Sequence, residues 1–475
     1  MSTVRRLVRN TTLLMFSQIL SFIIAFIYTV FMARYLGVND FGLLSFALAL
    51  VSVIGIFADL GLNTLMTREI SRNKSSALKY VNNVFSVKII LLSTLLVATA
   101  LIINLLGYPQ KTIYTIYLVI FSLVGTTFSG MFYALFQAYE NLKYQSIGTI
   151  LSSFLMLIGV LIAIHYKLNV VEFALIYFIV GMMVFIYCLY ITSKNFILPK
   201  IGFNSDFDKE MIQLALQFGL IGIFSTVYVW IDSVMLFLMQ GSYAVGLYNV
   251  AYRIVLVLLF IPIVINSAIF PVMSRMYGKF DNPLKKIVEK YFKLMVMIGV
   301  PLGVGGTLLS DKIILLIFGT AYVGSVPALQ ILIWATVFTF ANAAFVQLFQ
   351  ATNRQMLVTK ITGIGMIENI ILNLAIIPTF SFIGASIDTL ITEFTVASLL
   401  IVTANRTKYS LKGKFSINII KITISSLIMG VFIFLFHNLN LFVLIIISTL
   451  IYMISIYLIG AVDKEDKDII SKIFN

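Results

Sequence analysis

Fourteen runs of about twenty apolar residues follow one another along this chain, and only short polar segments separate them. A helix rises 1.5 Å per residue, so a run of about twenty reaches across a hydrocarbon core roughly 30 Å thick. In lipid each backbone N–H and C=O must bond within its own segment, so open runs of this length cross a bilayer as helices. The spans read as 11–33, 42–66, 83–106, 113–137, 146–165, 171–192, 212–239, 247–273, 290–309, 327–350, 357–378, 383–404, 416–437 and 440–461. Composition agrees. Only 11% of the residues are charged, against about 25% in a soluble domain, and 60% are hydrophobic. Mean hydropathy is +1.04. The expected fold class is an all-α membrane protein of 14 transmembrane helices.

The net charge of +14 invites a nucleic-acid reading, but the cations sit in short loops and not on a soluble basic domain. They report orientation instead. If the N-terminus is cytoplasmic, 27 of the 33 Lys and Arg residues fall on the inside. Four (Arg34, Lys111, Lys167 and Lys312) fall outside, and Lys88 and Arg253 lie within spans. One missed span would invert every later loop, so this asymmetry supports both the count and a cell-membrane protein with cytoplasmic termini. The first run follows Arg5, Arg6 and Arg9 as a signal peptide would. Ala33-Arg34-Tyr35 is a poor cleavage site, however, so the run reads as a retained span. Cys188 has no partner for an intrachain disulfide, and His165 and His437 are far apart. No metal site, cofactor motif or Walker A sequence is visible. The 274–289 loop carries Leu284, Ile287 and Val288, continued by Tyr291 and Phe292, at helical spacing among lysines. It reads either as an interfacial helix or as an extension of the next span.

The chain also repeats itself. Gly37-x4-Gly42-Leu43 with Ala47 recurs as Gly241-x4-Gly246-Leu247 with Ala251, an offset of 204. Leu135-Phe136-Gln137-Ala138 recurs as Leu348-Phe349-Gln350-Ala351, an offset of 213. Spans 1–6 therefore match spans 7–12, and both halves enter the membrane from the same side. The expected division is a six-helix lobe at 1–192, a cytoplasmic linker at 193–211, a second six-helix lobe at 212–404, and helices 13 and 14 with a tail at 405–475.

A charge at the bilayer centre costs about 2.5–3.5 kcal/mol on insertion scales, so intramembrane ionisable residues are candidates for function. Glu368 lies near the midplane of span 11 with Asn369 and Asn373 within about a turn. Asp388 and Glu393 lie in span 12, Asp232 in span 7 and Asp59 near the inner end of span 2. Glu368 and Glu393 are too deep to snorkel. Asp59 and Asp232 have structural readings as caps or partners of loop cations. Lys88 and Arg253 are near enough to span ends to snorkel. Asn342, Asn369 and Asn373 are residue types that more often serve as hydrogen-bond glue between helices. Pro262, Pro271, Pro301 and Pro378 mark bends.

Arg34-Tyr35-Leu36-Gly37 through Phe41-Gly42, then Phe57-Ala58-Asp59-Leu60-Gly61-Leu62 and Arg68, resembles the start of polysaccharide-biosynthesis flippases. So do Leu316-Ile317-Phe318-Gly319-x2-Tyr322, Asn373-Leu374-x3-Pro378 and Thr389-Leu390-Ile391-x-Glu393. The resemblance is to Wzx-type oligosaccharide flippases of the MOP superfamily. It implies two six-helix lobes around a cavity, and movement of isoprenoid-phosphate-linked sugars from the cytoplasmic to the outer leaflet by alternating access. Membrane lipids, that substrate, an H+ or Na+ coupling ion and polysaccharide assembly enzymes are the implied partners. Lys88, Arg253 and Arg34 are the positions the resemblance offers for the phosphate; Glu368, Glu393, Asp232, Asp59 and Asn373, singled out by their place inside the spans and not by a family motif, are the candidates for ion coupling or cavity polarity. The competing reading is a MATE-like cation or drug antiporter, which its acidic residues permit. An enzyme is not expected, because the outer loops are too short to hold a catalytic domain.

Overall fold

The computed structural model describes residues 3–202, 205–277, 283–407, 409 and 415–462. The tail 463–475 lies outside them, and so do the side chains of Arg5, Arg6 and Arg9. Among the described residues there are helices and turns but no strand. The α-helices are α1 (Thr3–Gly55), α2 (Leu62–Arg72), α3 (Ala77–Leu105), α4 (Gln110–Ala138), α5 (Leu142–His165), α6 (Val170–Asn195), α7 (Ser205–Gln240) and α8 (Ser242–Leu258). They continue as α9 (Phe260–Met276), α10 (Pro283–Leu308), α11 (Ser310–Ile317), α12 (Val326–Ala351), α13 (Gln355–Asn405), α14 (Phe415–Leu435) and α15 (Leu441–Leu458).

Among the described residues, twelve helical stretches are long and apolar enough to cross a membrane. Two of them, α1 and α13, are each two helices joined at a residue with non-helical backbone, Gly37 (φ 71°) and Ser381 (φ 52°). Counting both arms gives fourteen crossings, matching the apolar runs. The return of α13 is visible in its own packing. A Cβ on Gly384 would come 2.8 Å from the carbonyl oxygen of Ile376, eight residues back. In an unbroken helix those positions are about 12 Å apart. Pro378 removes a backbone donor just before the turn. Ser381 holds a positive φ that a Cβ resists, at about 1–3 kcal/mol. Ser381→Gly is therefore expected to stabilise the protein by roughly 1 kcal/mol, read as a higher melting temperature in detergent; a lower one would show that the turn is not strained.

Span 8 breaks where the sequence says it should. The Pro262 ring collides with the carbonyl four residues back, and α8 ends at Leu258. Pro271 and Pro301 lie inside continuous helices. Of the 274–289 segment, 278–282 lie outside the described residues and 283–289 join the next span: α10 is continuous from Pro283, and Leu284, Val288, Tyr291 and Phe292 are 1%, 0%, 2% and 3% exposed. The interfacial-helix alternative fails because that apolar face packs into a protein core and not onto lipid. The linker is strapped to α3, with the Lys200 N–H on Asn82 Oδ1 (2.8 Å) and the Gly202 N–H on Ser86 Oγ (3.0 Å).

By packing, the chain forms two compact units, Met1–Gly246 and Leu247–Asn475. In the first, α4 packs on α6 and α2, while α1 packs on α5 and α7. In the second, α12 is flanked by α13, α10 and α9, and α14 carries α15 against α10. Tyr452 on α15 donates to the Met297 carbonyl (2.7 Å), fixing the last helix in place. Large apolar side chains on outward faces, such as Ile371, Val431 and Met453, are exposed, as expected where lipid is the solvent.

The repeat has a structural counterpart inside the first unit. A Cβ on Gly42 would meet the Ser242 carbonyl oxygen at 1.9 Å, and a Cβ on Gly246 would meet that of Val38 at 2.1 Å. The offset of 204 carries Val38 onto Ser242 and Gly42 onto Gly246, so this is one contact made twice, reciprocally. The joints before it, Gly37 (φ 71°) and Gly241 (φ 80°), are also equivalent.

Candidate functional site

In the first unit the ionisable residues gather at a break in span 2. After Gly55 the helix tightens to a 3-10 turn over Ile56–Ala58, then opens through Leu60 (φ 48°) and Gly61 (φ 85°) before α2 begins. Only a residue without Cβ fits at Gly61. A Cβ there would lie 2.3 Å from the Ala215 carbonyl oxygen and 2.5 Å from the Gly219 nitrogen, both on α7. Asp59 stands at this break. Its Oδ1 accepts from Lys88 Nζ at 2.6 Å and from the Asn63 N–H at 3.3 Å. The Lys88 side chain is 0% exposed and that of Asp59 is 25% exposed. Two residues 29 apart in sequence are thus one ion pair, and Lys88 does not snorkel. Asp232 is buried on α7, and Arg34 is exposed three residues before the Gly37 joint. The fold does not bring Arg34 to the Asp59 break. Arg68, further along α2, lies 4.7 Å over the Phe218 ring of α7.

In the second unit the polar residues collect between the two arms of α13. Because the chain folds back at Ser381, polar residues of the two arms face one another. Asn369 Nδ2 donates to Asp388 Oδ2 at 2.7 Å, and Asn373 Nδ2 donates to Asn369 Oδ1 at 3.3 Å. Thr392 Oγ1 donates to the other Asp388 oxygen at 3.2 Å. Asp388, Asn373 and Thr392 are 0% exposed and Asn369 is 2% exposed. Glu368 and Glu393 are half-buried. Glu368 accepts from Thr395 Oγ1 (2.9 Å), and Glu393 accepts from Asn342 Nδ2 on α12 (3.1 Å). On α8, Tyr248 shares a hydrogen bond with Thr389 of α13 (3.1 Å), and half-buried Arg253 follows five residues later.

Glu368 stands out in the sequence for its depth, yet among the described residues the 0% exposed acid at the centre of this network is Asp388. The missed signal was the short 379–382 connection, which folds the arm carrying Asp388 back onto the arm carrying Asn369. Among the described residues no group of three or more His, Cys, Asp or Glu side chains is placed to hold a metal ion. What the arrangement offers is a carboxylate kept deep in an apolar layer by amide and hydroxyl donors, and a cation held by one carboxylate elsewhere.

A family model described as "Polysaccharide biosynthesis protein" matches residues 7–277, and one described as "MatE" matches 219–375. An uncharacterized membrane protein of Methanocaldococcus jannaschii is 30% identical over 61% of this chain and 59% of its own length, so the match spans about three fifths of that relative. A probable low-salt glycan biosynthesis flippase of Haloferax volcanii is 23% identical over 94% of both chains. Among solved structures, a lipid II flippase MurJ in an inward closed conformation superposes with a TM-score of 0.77 at 15% identity, covering 95% of this chain and 98% of that one. At that identity the likeness shows the fold alone.

Proposed function

The chain belongs to the polysaccharide biosynthesis protein family of the MOP superfamily, and from that premise we propose that it is a flippase for a lipid-linked oligosaccharide destined for the cell surface. The observation that carries the reading is the kinship with a glycan flippase along 94% of both chains, joined to a fourteen-crossing membrane fold with ionisable groups inside the spans. The charged headgroup of such a lipid cannot enter hydrocarbon unaided, because burying an unpaired charge costs many kcal/mol. Buried polar groups substitute for its water while the lipid tail stays in the bilayer.

In finer detail, the carrier is an isoprenoid phosphate, the termini are cytoplasmic, and spans 1–6 and 7–12 act as two lobes that alternate access around the substrate. Lys88, Arg253 and Arg34 are the cations for the phosphate. The acids and amides of the α13 arms, with Asp232 and Asp59, are the groups for an H+ or Na+ ion that drives the cycle. Deleting the gene is expected to leave a lipid-linked sugar on the cytoplasmic leaflet; its absence from the accumulated lipids would refute the reading. Glu368→Gln is expected to reduce surface glycan in a complementation assay at least several-fold more than Lys167→Gln, an exposed loop change. Equal activity of the two would remove Glu368 from the mechanism.

The match to MatE over 219–375 supports a second reading, export of a cationic drug coupled to an ion. Growth on cationic drugs separates the two. Resistance with no change in surface glycan would favour export.

A further inference from the structure

The ion pair at the break in span 2 is built incompletely. The Lys88 ammonium has three N–H donors, and among the described residues Asp59 is its one hydrogen-bond acceptor, although the side chain is 0% exposed. Among the described residues, both bonds to Asp59 converge on Oδ1. Burying two charges is unfavourable unless their remaining hydrogen-bonding capacity is filled, and apolar side chains of similar size make a firmer staple. Among the described residues the fold sets one carboxylate oxygen, and no second protein acceptor, against this buried ammonium. An anion with several oxygens, a phosphate above all, fills the ammonium's donors where a single carboxylate oxygen cannot.

The carboxylate is also placed to report on its own displacement. Asp59 leads into Leu60 and Gly61, both at positive φ. Their backbone lies directly on α7, since a Cβ on Gly219 would come 2.5 Å from the Leu60 carbonyl oxygen. No side chain cushions that contact, so a shift of the turn is felt by α7.

We propose that Asp59 is the resting, internal occupant of an anion site on Lys88, and that a phosphate group of the transported lipid displaces it and frees the 59–61 turn against α7. The inference rests on the flippase reading and adds to it a competitor within the chain. Substrate binding and release of the turn become one exchange on one ammonium. Asp59 is a positioning residue in this scheme, and Lys88 is the group that touches substrate.

The test uses the full chain in nanodiscs with farnesyl diphosphate as the probe and inorganic pyrophosphate beside it, to separate a lipid diphosphate from the free anion. In the wild type, farnesyl diphosphate should raise hydrogen exchange across residues 56–66, a readout that needs no variant. Lys88→Gln should lose that response and bind the probe at least fivefold more weakly, while Asp59→Asn should bind it roughly tenfold more tightly, within the usual range of a coupling between sites. The double variant should bind as weakly as Lys88→Gln. If the probe binds wild type and all three variants alike, or leaves exchange at 56–66 unchanged, the exchange is refuted while the flippase reading stands. If the wild type binds neither probe, both fall. Binding of pyrophosphate as tight as that of farnesyl diphosphate would refute a site built for a lipid.

Discussion

Gly42→Leu is expected to abolish transport and to lower the amount of folded protein in the membrane at least tenfold, measured by surface-glycan complementation and by size exclusion of the fluorescently tagged protein. The first side-chain carbon alone would lie 1.9 Å from the Ser242 carbonyl oxygen and 2.8 Å from the Gly246 nitrogen. Those atoms are backbone, so no rotamer relieves the overlap and a helix must move. Overpacking a core usually costs about 1–3 kcal/mol, and more where backbone has to shift. Gly246→Leu meets the Val38 carbonyl in the same way and should fail to the same degree. Gly305→Ala is the control. Its new carbon would meet the Met429 methyl at 3.6 Å, ordinary contact, and activity should stay near wild type. Normal transport by Gly42→Leu would mean that this crossing is not held in the working protein.

That crossing also marks how far the amino-acid sequence could be read. The spacing Gly37-x4-Gly42 and its copy at Gly241 announce the repeat, but nothing in the spacing says that the two copies touch. A glycine carries no side chain to signal its neighbour; only the fold shows whose backbone occupies the space. Spans were legible because lipid imposes a length and an apolar texture, and Pro262 placed the end of α8 because its ring excludes the preceding carbonyl. The break at 56–61 was not legible. Its residues are apolar enough to pass as span, and its cause is the seat of Gly61 on α7, a contact with a residue over 150 positions away. Asp59 and Lys88 were each visible as expensive residues, but their pairing needed the third dimension. Asp388 was underweighted for the same reason, since Glu368 stood nearer the midplane in sequence while Asp388 gained its partners from the folded-back arm.

Asp388 allows stability and function to be separated. Asp388→Ala removes the acceptor for Asn369 and Thr392 in a place with no exposure, so two donors lose their partner at about 1–3 kcal/mol each. Asn373, bonded to Asn369, loses its anchor in turn. The variant is expected to be destabilised by roughly 3–5 kcal/mol and to melt well below wild type in detergent. Asp388→Asn keeps the volume and one oxygen, and the Asn369 amide can turn to match it, so stability should stay within roughly 1 kcal/mol of wild type. If the arms of α13 only staple two helices, Asp388→Asn should flip lipid-linked sugar normally. If the carboxylate charge takes part in the cycle, flipping should fall at least tenfold with the melting temperature preserved, measured in proteoliposomes with a fluorescent lipid-linked sugar and a membrane-impermeant quencher. We expect the second outcome. A structural staple in lipid is served as well by an amide, whereas a carboxylate in the same place carries the insertion penalty of a charge and has value only where that charge is used.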